Sequence, residues 1–334
     1  MSDRISLIDR YIKDLFSAQA FSGSVLLAED NTVLLKKGYG MANYELDVPN
    51  SYSFKFCIAS ITKSITAMAI MILATKKLIN LNDSLNFFIP DYPDGNKINI
   101  LHLITHTSGI ANINNHAEYE ELANKHNTLE DLISRFKHMP PDFEPGTKFQ
   151  YCNSGYLLLT YIIEKVSGKS YDQFIKDEIF NPLNMRDTGS LYREQILKNK
   201  AYGYSRHEAQ LINCKTRDSS IAVGTGNLYS TVEDLYIWCK ALLNGTLLSE
   251  YLKYELFVRH VFVRDNLYHG FGFMLCKSND KIDYVYQDGG IHGYRSIYML
   301  DPENKLYIVI LGNYDYIRII DMAKKIRSML IESK

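Results

Sequence analysis

From Thr62 to Ala74 the chain reads TKSITAMAIMILA, a run in which almost every position is apolar or small. A helix over such a run has no polar face to give to water, so it must be covered on most sides and lie inside the fold. Everything else in the chain then becomes its packing. Lys63, near the head of the run, does not suit such a place, because burying an ammonium costs several kcal/mol unless it is paired or discharged. Ser60 precedes it by three positions, and residues i and i+3 of a helix share a face, which brings hydroxyl and amine within hydrogen-bonding reach. Desolvation lowers a lysine's pKa, so a buried Lys63 is expected to be partly neutral near pH 7 and to accept a proton from Ser60. The plainer alternative is a helix-capping serine and a lysine that snorkels to solvent along its stem. The S-x-x-K spacing recurs at Ser134/Lys137, in the charged amphipathic run DLISRFKHMP, and at Ser278/Lys281, in the polar turn CKSNDKID. Only Ser60/Lys63 is embedded in apolar sequence.

The two ends of the chain read as sheet. SGSVLLAEDNTVLLKKGYG places two β-rich runs around the polar turn Glu29-Asp30-Asn31, the pattern of a hairpin. Near the other end, HGFGFMLC, DYVYQ, YRSIYML and KLYIVILGN are aromatic and β-branched runs separated by short polar turns, which predicts antiparallel neighbours. Helical spacing bounds them, with Ile5, Ile8, Ile12 and Leu15 at the start and YIRIIDMAKKIRSMLIESK at the finish. Between Leu78 and Ser220 the pattern is helical and loop-rich, punctuated by Pro90, Pro93, Pro140, Pro141, Pro145 and Pro182. The expected class is α+β. Residues 1–77 and 221–334 form a discontinuous domain with a mainly antiparallel sheet flanked by helices, residues 78–220 form an inserted, mostly helical domain, and the site lies at their junction.

Composition removes several functions. The 334 residues are 46% hydrophobic and 22% charged, with 37 lysines and arginines against 38 acids and a net charge of −1. That is a globular balance without the excess needed to hold a nucleic acid or an anionic membrane surface. The longest wholly apolar run, Ala67 to Ala74, falls far short of the roughly 20 residues that span a bilayer. The N-terminus mixes charges into a helical stripe, unlike a signal peptide, so the chain as given reads as cytoplasmic, and as extracytoplasmic if a leader was removed. Cys57, Cys152, Cys214, Cys239 and Cys276 are scattered without metal-ligand spacing and suit reduced thiols. His102 and His106 are four apart, with His116 beyond, but the zincin helix needs a glutamate directly after its first histidine and Leu103 stands there. No metal and no cofactor is expected, and His106 is expected to hydrogen-bond within the loop it ends. No G-x-S-x-G elbow occurs. Leu235, Trp238 and Leu242, after a capping Thr231, read as core packing.

Ser60/Lys63 within ASITKSITA is followed by YCNSGYLLL, in which Tyr151 and Asn153 form the chain's Y-x-N triplet, directly after FEPGTKFQ. LITHTSGI, NPLNMRDTG, GNLYSTVEDL and DGGIHGYRS follow in order around them. This set resembles the serine β-lactamase and penicillin-binding-protein-like hydrolases, in the branch of class C β-lactamases, D-aminopeptidases and esterases, over almost the whole chain. The resemblance implies the β-lactamase/transpeptidase-like fold. It implies a serine hydrolase acting through an acyl-enzyme on an ester or amide, with a small-molecule or peptide acyl substrate. Ser60 would be the nucleophile, Lys63 its nearest proton acceptor, and Tyr151 a proton shuttle with a pKa lowered by nearby positive charge. Asn153 would orient Lys63 and the substrate amide, and the backbone N–H groups of Ser60 and Gly290 would hold the oxyanion beside Gly289. Tyr294 is the candidate for a substrate wall. Whether Lys63 or Tyr151 is the base stays open at this level, as does the oligomeric state.

One element departs from the resemblance. The third motif of these proteins opens with lysine or histidine, and this chain has Gln287-Asp288-Gly289. Loss of that cation counts against penicillin hydrolysis and D-Ala-D-Ala carboxypeptidase action, because a neutral hydrogen bond is about half as strong as a charge-assisted one. Esterase or amidase/peptidase chemistry is expected instead. The alternative is a penicillin-binding or sensor protein that binds, or is acylated, without efficient turnover.

Overall fold

The computed structural model describes residues 3–258, 261–279 and 281–332. Its centre is an eight-stranded antiparallel sheet made of β1 (Gly23–Glu29), β2 (Thr32–Tyr39), β3 (Val261–Arg264), β4 (Leu267–His269), β5 (Met274–Ser278), β6 (Lys281–Ile291), β7 (Tyr294–Asp301) and β8 (Leu306–Gly312). The spatial order is β3-β4-β5-β6-β7-β8-β1-β2, so the N-terminal hairpin completes a meander supplied by the C-terminal third. The register joins them directly, with Val25 opposite Ile310 and Leu27 opposite Ile308. Both ends of the chain build one sheet, as the β-rich runs predict. The strands β3 and β4 were not anticipated. The run beginning at His269 is strand only from Met274, because Gly270 and Gly272 turn the chain there.

Alternation along the strands gives the sheet two apolar faces. Val25, Leu27, Ile297, Met299, Ile308 and Ile310 meet Ile5, Ile8 and Ile12 of α1 (Asp3–Ser17) and Met322, Ile326 and Leu330 of α5 (Ile319–Glu332). On the other side Leu26, Tyr298, Leu300, Val309 and Leu311 join an apolar body built with α2 (Thr62–Thr75), α3 (Asn153–Ser167) and α4 (Val232–Asn244). Every residue of α2 from Thr62 to Leu73 is buried, as its sequence demands. Thr231 caps α4 by accepting the Asp234 N–H, Gly245 ends it in a left-handed conformation, and Leu235, Trp238 and Leu242 lie in the core. Between Leu78 and Ser220, α3 is joined by shorter helices such as Ile100–Ile104 and Leu129–Phe136, and α3 packs directly on α2. The hairpin Tyr204–His207/Gln210–Asn213 also lies in that stretch and reaches back to the sheet, where the Tyr204 N–H meets the Asn313 carbonyl.

Two local arrangements bring the chemistry together. A small sheet pairs Phe56–Cys57 with Leu228–Ser230, which lays residues 225–230 alongside the start of α2. The pairing of β6 with β5 ends at Tyr286, so Gln287 to Ile291 pair only with β7 and offer their other edge to the 3₁₀ turn Ala59–Ile61. No helix among the described residues is long and apolar enough to cross a membrane.

Candidate active site

Ser60 lies on the 3₁₀ turn that runs straight into α2, which carries Lys63 one turn later. Lys63 is 1% exposed, and its Nζ donates to the Thr225 carbonyl at 2.8 Å and lies 3.4 Å from Ser60 Oγ. It does not snorkel. Burial pushes the amine from the ordinary 10.5 down to about 7, with a small opposing effect from Cys152. No carboxylate pairs with it among the described residues; the Tyr151 and Tyr156 rings lie 4.9 and 5.7 Å away instead. The other S-x-x-K pairs are plain surface features. Ser134 donates to the Asp131 carbonyl, Lys137 pairs with Asp91, and Ser278 and Lys281 are exposed. Ala59, directly before Ser60, has φ 45°, a left-handed conformation that costs a non-glycine residue on the order of 1–3 kcal/mol and that concentrates at functional sites. Nothing in the local sequence announces it.

Tyr151 comes from the loop that precedes α3 and faces Ser60 from the opposite side. Its phenol is the reverse of the sequence expectation. Burial raises its pKa well above 10, the Ser60 hydroxyl hydrogen-bonded to it pulls the other way, and Asp288 and Cys152 add to the rise. Burial outweighs the Ser60 hydrogen bond, so Tyr151 stays protonated. Asn153 also departs from expectation. Its Nδ2 donates to Asn114 Oδ1 at 2.6 Å, its Oδ1 has no hydrogen-bond partner among the described residues, and Lys63 is held by Thr225 instead. The hydrogen-bonding role of Thr225 escaped sequence reasoning because a backbone carbonyl carries no residue signature. His102 and His106 do not converge. His102 serves a capping box with Asn99, whereas His106 is buried with its ring against Tyr151.

The free edge of β6 closes the site. Gln287 is buried, and its Nε2 donates to the Ser60 carbonyl at 3.3 Å and to the Asp288 carbonyl at 3.1 Å, so it fastens the turn that carries Ser60. Gly289 is needed for close approach: a Cβ there would stand 2.3 Å from the Ile58 carbonyl oxygen and 2.8 Å from the Ser60 nitrogen. Gly290 is exposed, and a Cβ there would meet only the Arg295 guanidinium. Asp288 is half-buried, with its pKa raised by burial and held down in part by Arg295. Tyr294 is not a wall of the cleft. Its side chain is 7% exposed, packs under Gly203 and donates to the Ala201 carbonyl at 2.8 Å, which makes it core. A cavity of about 260 Å³ lined by His126, Glu164, Tyr192 and Ser220 contains none of Ser60, Lys63 or Tyr151.

Serine, buried amine and phenol thus converge beside a glycine-bearing strand edge. A family model described as Beta-lactamase matches residues 8–322. The chain belongs to the beta-lactamase family. Among its relatives, PbpX of Bacillus subtilis is 31% identical over 248 residues, which cover 74% of this chain and 60% of PbpX. Penicillin-binding protein 4* of the same organism is 28% identical over 88% of this chain and 68% of its own length. The chain therefore spans about two thirds of the length of these relatives. Among solved structures, the D-amino acid amidase of Ochrobactrum anthropi SV3 superposes with a TM-score of 0.89 at 22% identity over the whole of both chains. The penicillin-binding protein of Bacillus halodurans superposes at 0.87 and 24%, covering 98% of this chain and all of that one. The sheet with its flanking helices is the fold of this beta-lactamase family, as the ordered motifs imply.

Proposed function

We propose that this family member is a serine hydrolase that opens an ester or amide through an acyl-serine intermediate, with Lys63 as base and Tyr151 as acid. The observation that carries the proposal is the buried Lys63 amine, 3.4 Å from Ser60 Oγ with its pKa near 7. A neutral amine takes the Ser60 proton as Oγ attacks the acyl carbon, and the N–H groups of Ser60 and Gly290 receive the oxyanion. Tyr151, kept protonated by burial, donates to the departing nitrogen or oxygen and is reprotonated from Lys63 through the Ser60 side of the site. Water then attacks the acyl carbon and gives its proton to Lys63, the acyl–Oγ bond breaks, and Lys63 returns that proton to Ser60 Oγ. No cation stands at 287, and Asp288 places a carboxylate nearby, so neutral or amine-bearing acyl groups suit the site better than carboxylated ones.

Intact-protein mass after exposure to a fluorophosphonate probe tests this. One adduct is expected on the native chain and on Ser134→Ala and Ser278→Ala, and none on Ser60→Ala, which also loses p-nitrophenyl acetate turnover. No adduct on the native chain would overturn the proposal. An adduct from the ester itself that persists without turnover would favour the second reading, a protein acylated but not turned over, for which the uncharged Gln287 is the supporting observation.

A further inference from the structure

His106, in the middle of the run LITHTSGI, has φ 58°, a left-handed backbone that costs a non-glycine residue roughly 1 kcal/mol or more and persists where surrounding contacts over-determine it. Three contacts do so, and all reach the stretch that carries Tyr151. The His106 carbonyl accepts the Gln150 N–H at 2.9 Å. Its Nδ1 accepts the Cys152 N–H at 3.1 Å. Its ring lies against the Tyr151 ring, with centroids 4.4 Å apart and planes 35° apart. The residue before Tyr151, the residue after it and its aromatic face are therefore all held by one side chain and its own backbone.

Tyr151 needs such a holder. It sits outside any helix or strand, one residue before the cap of α3, so no regular ladder fixes its backbone. The neighbouring ties come from the same loop: Asn112 Oδ1 accepts the Asn153 N–H at 3.2 Å, and Cys152 Sγ donates to the Ile110 carbonyl at 3.3 Å. An imidazole whose Nδ1 accepts carries its proton on Nε2 and is neutral. Burial, with His269 and Lys63 adding to it, pushes the His106 pKa well below 6.5, so the acceptor persists. Its Nε2 has no partner among the described residues, leaving Cys152 as the ring's hydrogen bond.

We infer that His106 is a positioning residue for the proposed reaction: it clamps Gln150 to Cys152 and thereby aims the Tyr151 phenol at Ser60. The inference rests on Tyr151 being the proton donor proposed above. Three variants separate its parts. His106→Asn puts Oδ1 where Nδ1 accepts and keeps a residue that tolerates the left-handed backbone. His106→Gly keeps the backbone and loses the acceptor and ring, and His106→Leu loses both. With an ethyl ester, whose departing alkoxide needs the proton that p-nitrophenolate does not, kcat is expected within about fivefold of native for Asn, roughly tenfold down for Gly and roughly a hundredfold down for Leu, since a misplacement of about 1 Å costs that much. KM should move less than about threefold, because the ester's binding groups are elsewhere. A crystal structure of the Gly or Leu variant should show the Tyr151 phenol withdrawn from Ser60. If Leu does not fold, Asn against Gly decides. Native kcat in Gly and Leu, or Asn as slow as Gly, would overturn the clamp. Tyr151→Phe with native turnover would instead sink the reaction scheme, leaving the crystallographic position of Tyr151 to judge the clamp.

Discussion

At the residue scale the decisive group is Lys63, whose fully covered amine is worth more to chemistry than to folding. Its folded pKa is about 7 against an ordinary 10.5, so between those values the unfolded chain binds one more proton than the native one, and stability rises with pH across that window. Below pH 7 both states carry the charge and the burial penalty stands in full. Lys63→Met should therefore raise the melting temperature by a few degrees at pH 6 while abolishing turnover, with the gain shrinking as pH climbs toward 10; a lower melting temperature at pH 6 would contradict this. With Lys63 as the base proposed above, kcat/KM of the native protein should rise with pH through an apparent pKa near 7, as the amine loses its proton, and Lys63→Ala should lose roughly 10²–10⁴-fold in rate together with that limb. The burial of Lys63 beside Ser60 was legible because their setting is written in consecutive residues. The protonated state of Tyr151 and the turn of Asn153 toward Asn114 were not, because both depend on groups brought in from residues 106 to 114 and from β6.

At the element scale the free end of β6 decides how close the Ser60 turn can come. Gly289 and Gly290 are adjacent, yet strand alternation turns one toward Ser60 and the other toward Arg295. Gly289→Ala would drive a methyl into the Ile58 carbonyl and the Ser60 nitrogen, both backbone, so the turn must move. A loss of about 1–3 kcal/mol in urea unfolding and at least a tenfold fall in kcat are expected. Gly290→Ala meets only the end of a flexible arginine, and its stability should stay within about 0.5 kcal/mol of native. Equal destabilisation by the two would show that the strand does not seat against the turn. Which of the two glycines approaches the Ser60 turn was not readable, since register is a property of the paired strands. Strands β3 and β4 were missed for a related reason: they are four and three residues long, and short polar-apolar runs carry too little periodicity to separate strand from loop.

At the scale of the whole molecule, the sheet divides two apolar bodies with different duties. One face, covered by α1 and α5, holds the ends of the chain together and lies away from Ser60; the other carries α2 and α3, and through them Lys63 and the approach to Tyr151. That both chain ends share one sheet was visible early, because β-rich runs stand near both termini. That reading was incomplete, because the hairpin Tyr204–His207/Gln210–Asn213 sits within the helical stretch by sequence and on the sheet in space. Both faces should be equally costly to hollow out, but only one should affect catalysis. Ile326→Ala, at a fully buried position of α5, and Leu158→Ala, at a fully buried position of α3, should each lose about 2–5 kcal/mol in denaturant unfolding. Kinetics at a temperature where both variants remain folded should then separate them. The Ile326 variant keeps native kcat, because its cavity opens behind the sheet, whereas the Leu158 variant slows several-fold, because α3 relaxes against α2 and the phenol and amine no longer meet Ser60 squarely. Equal slowing in the two would mean that the sheet transmits packing changes across its thickness, and that the active site is not insulated by the layer on which it is built.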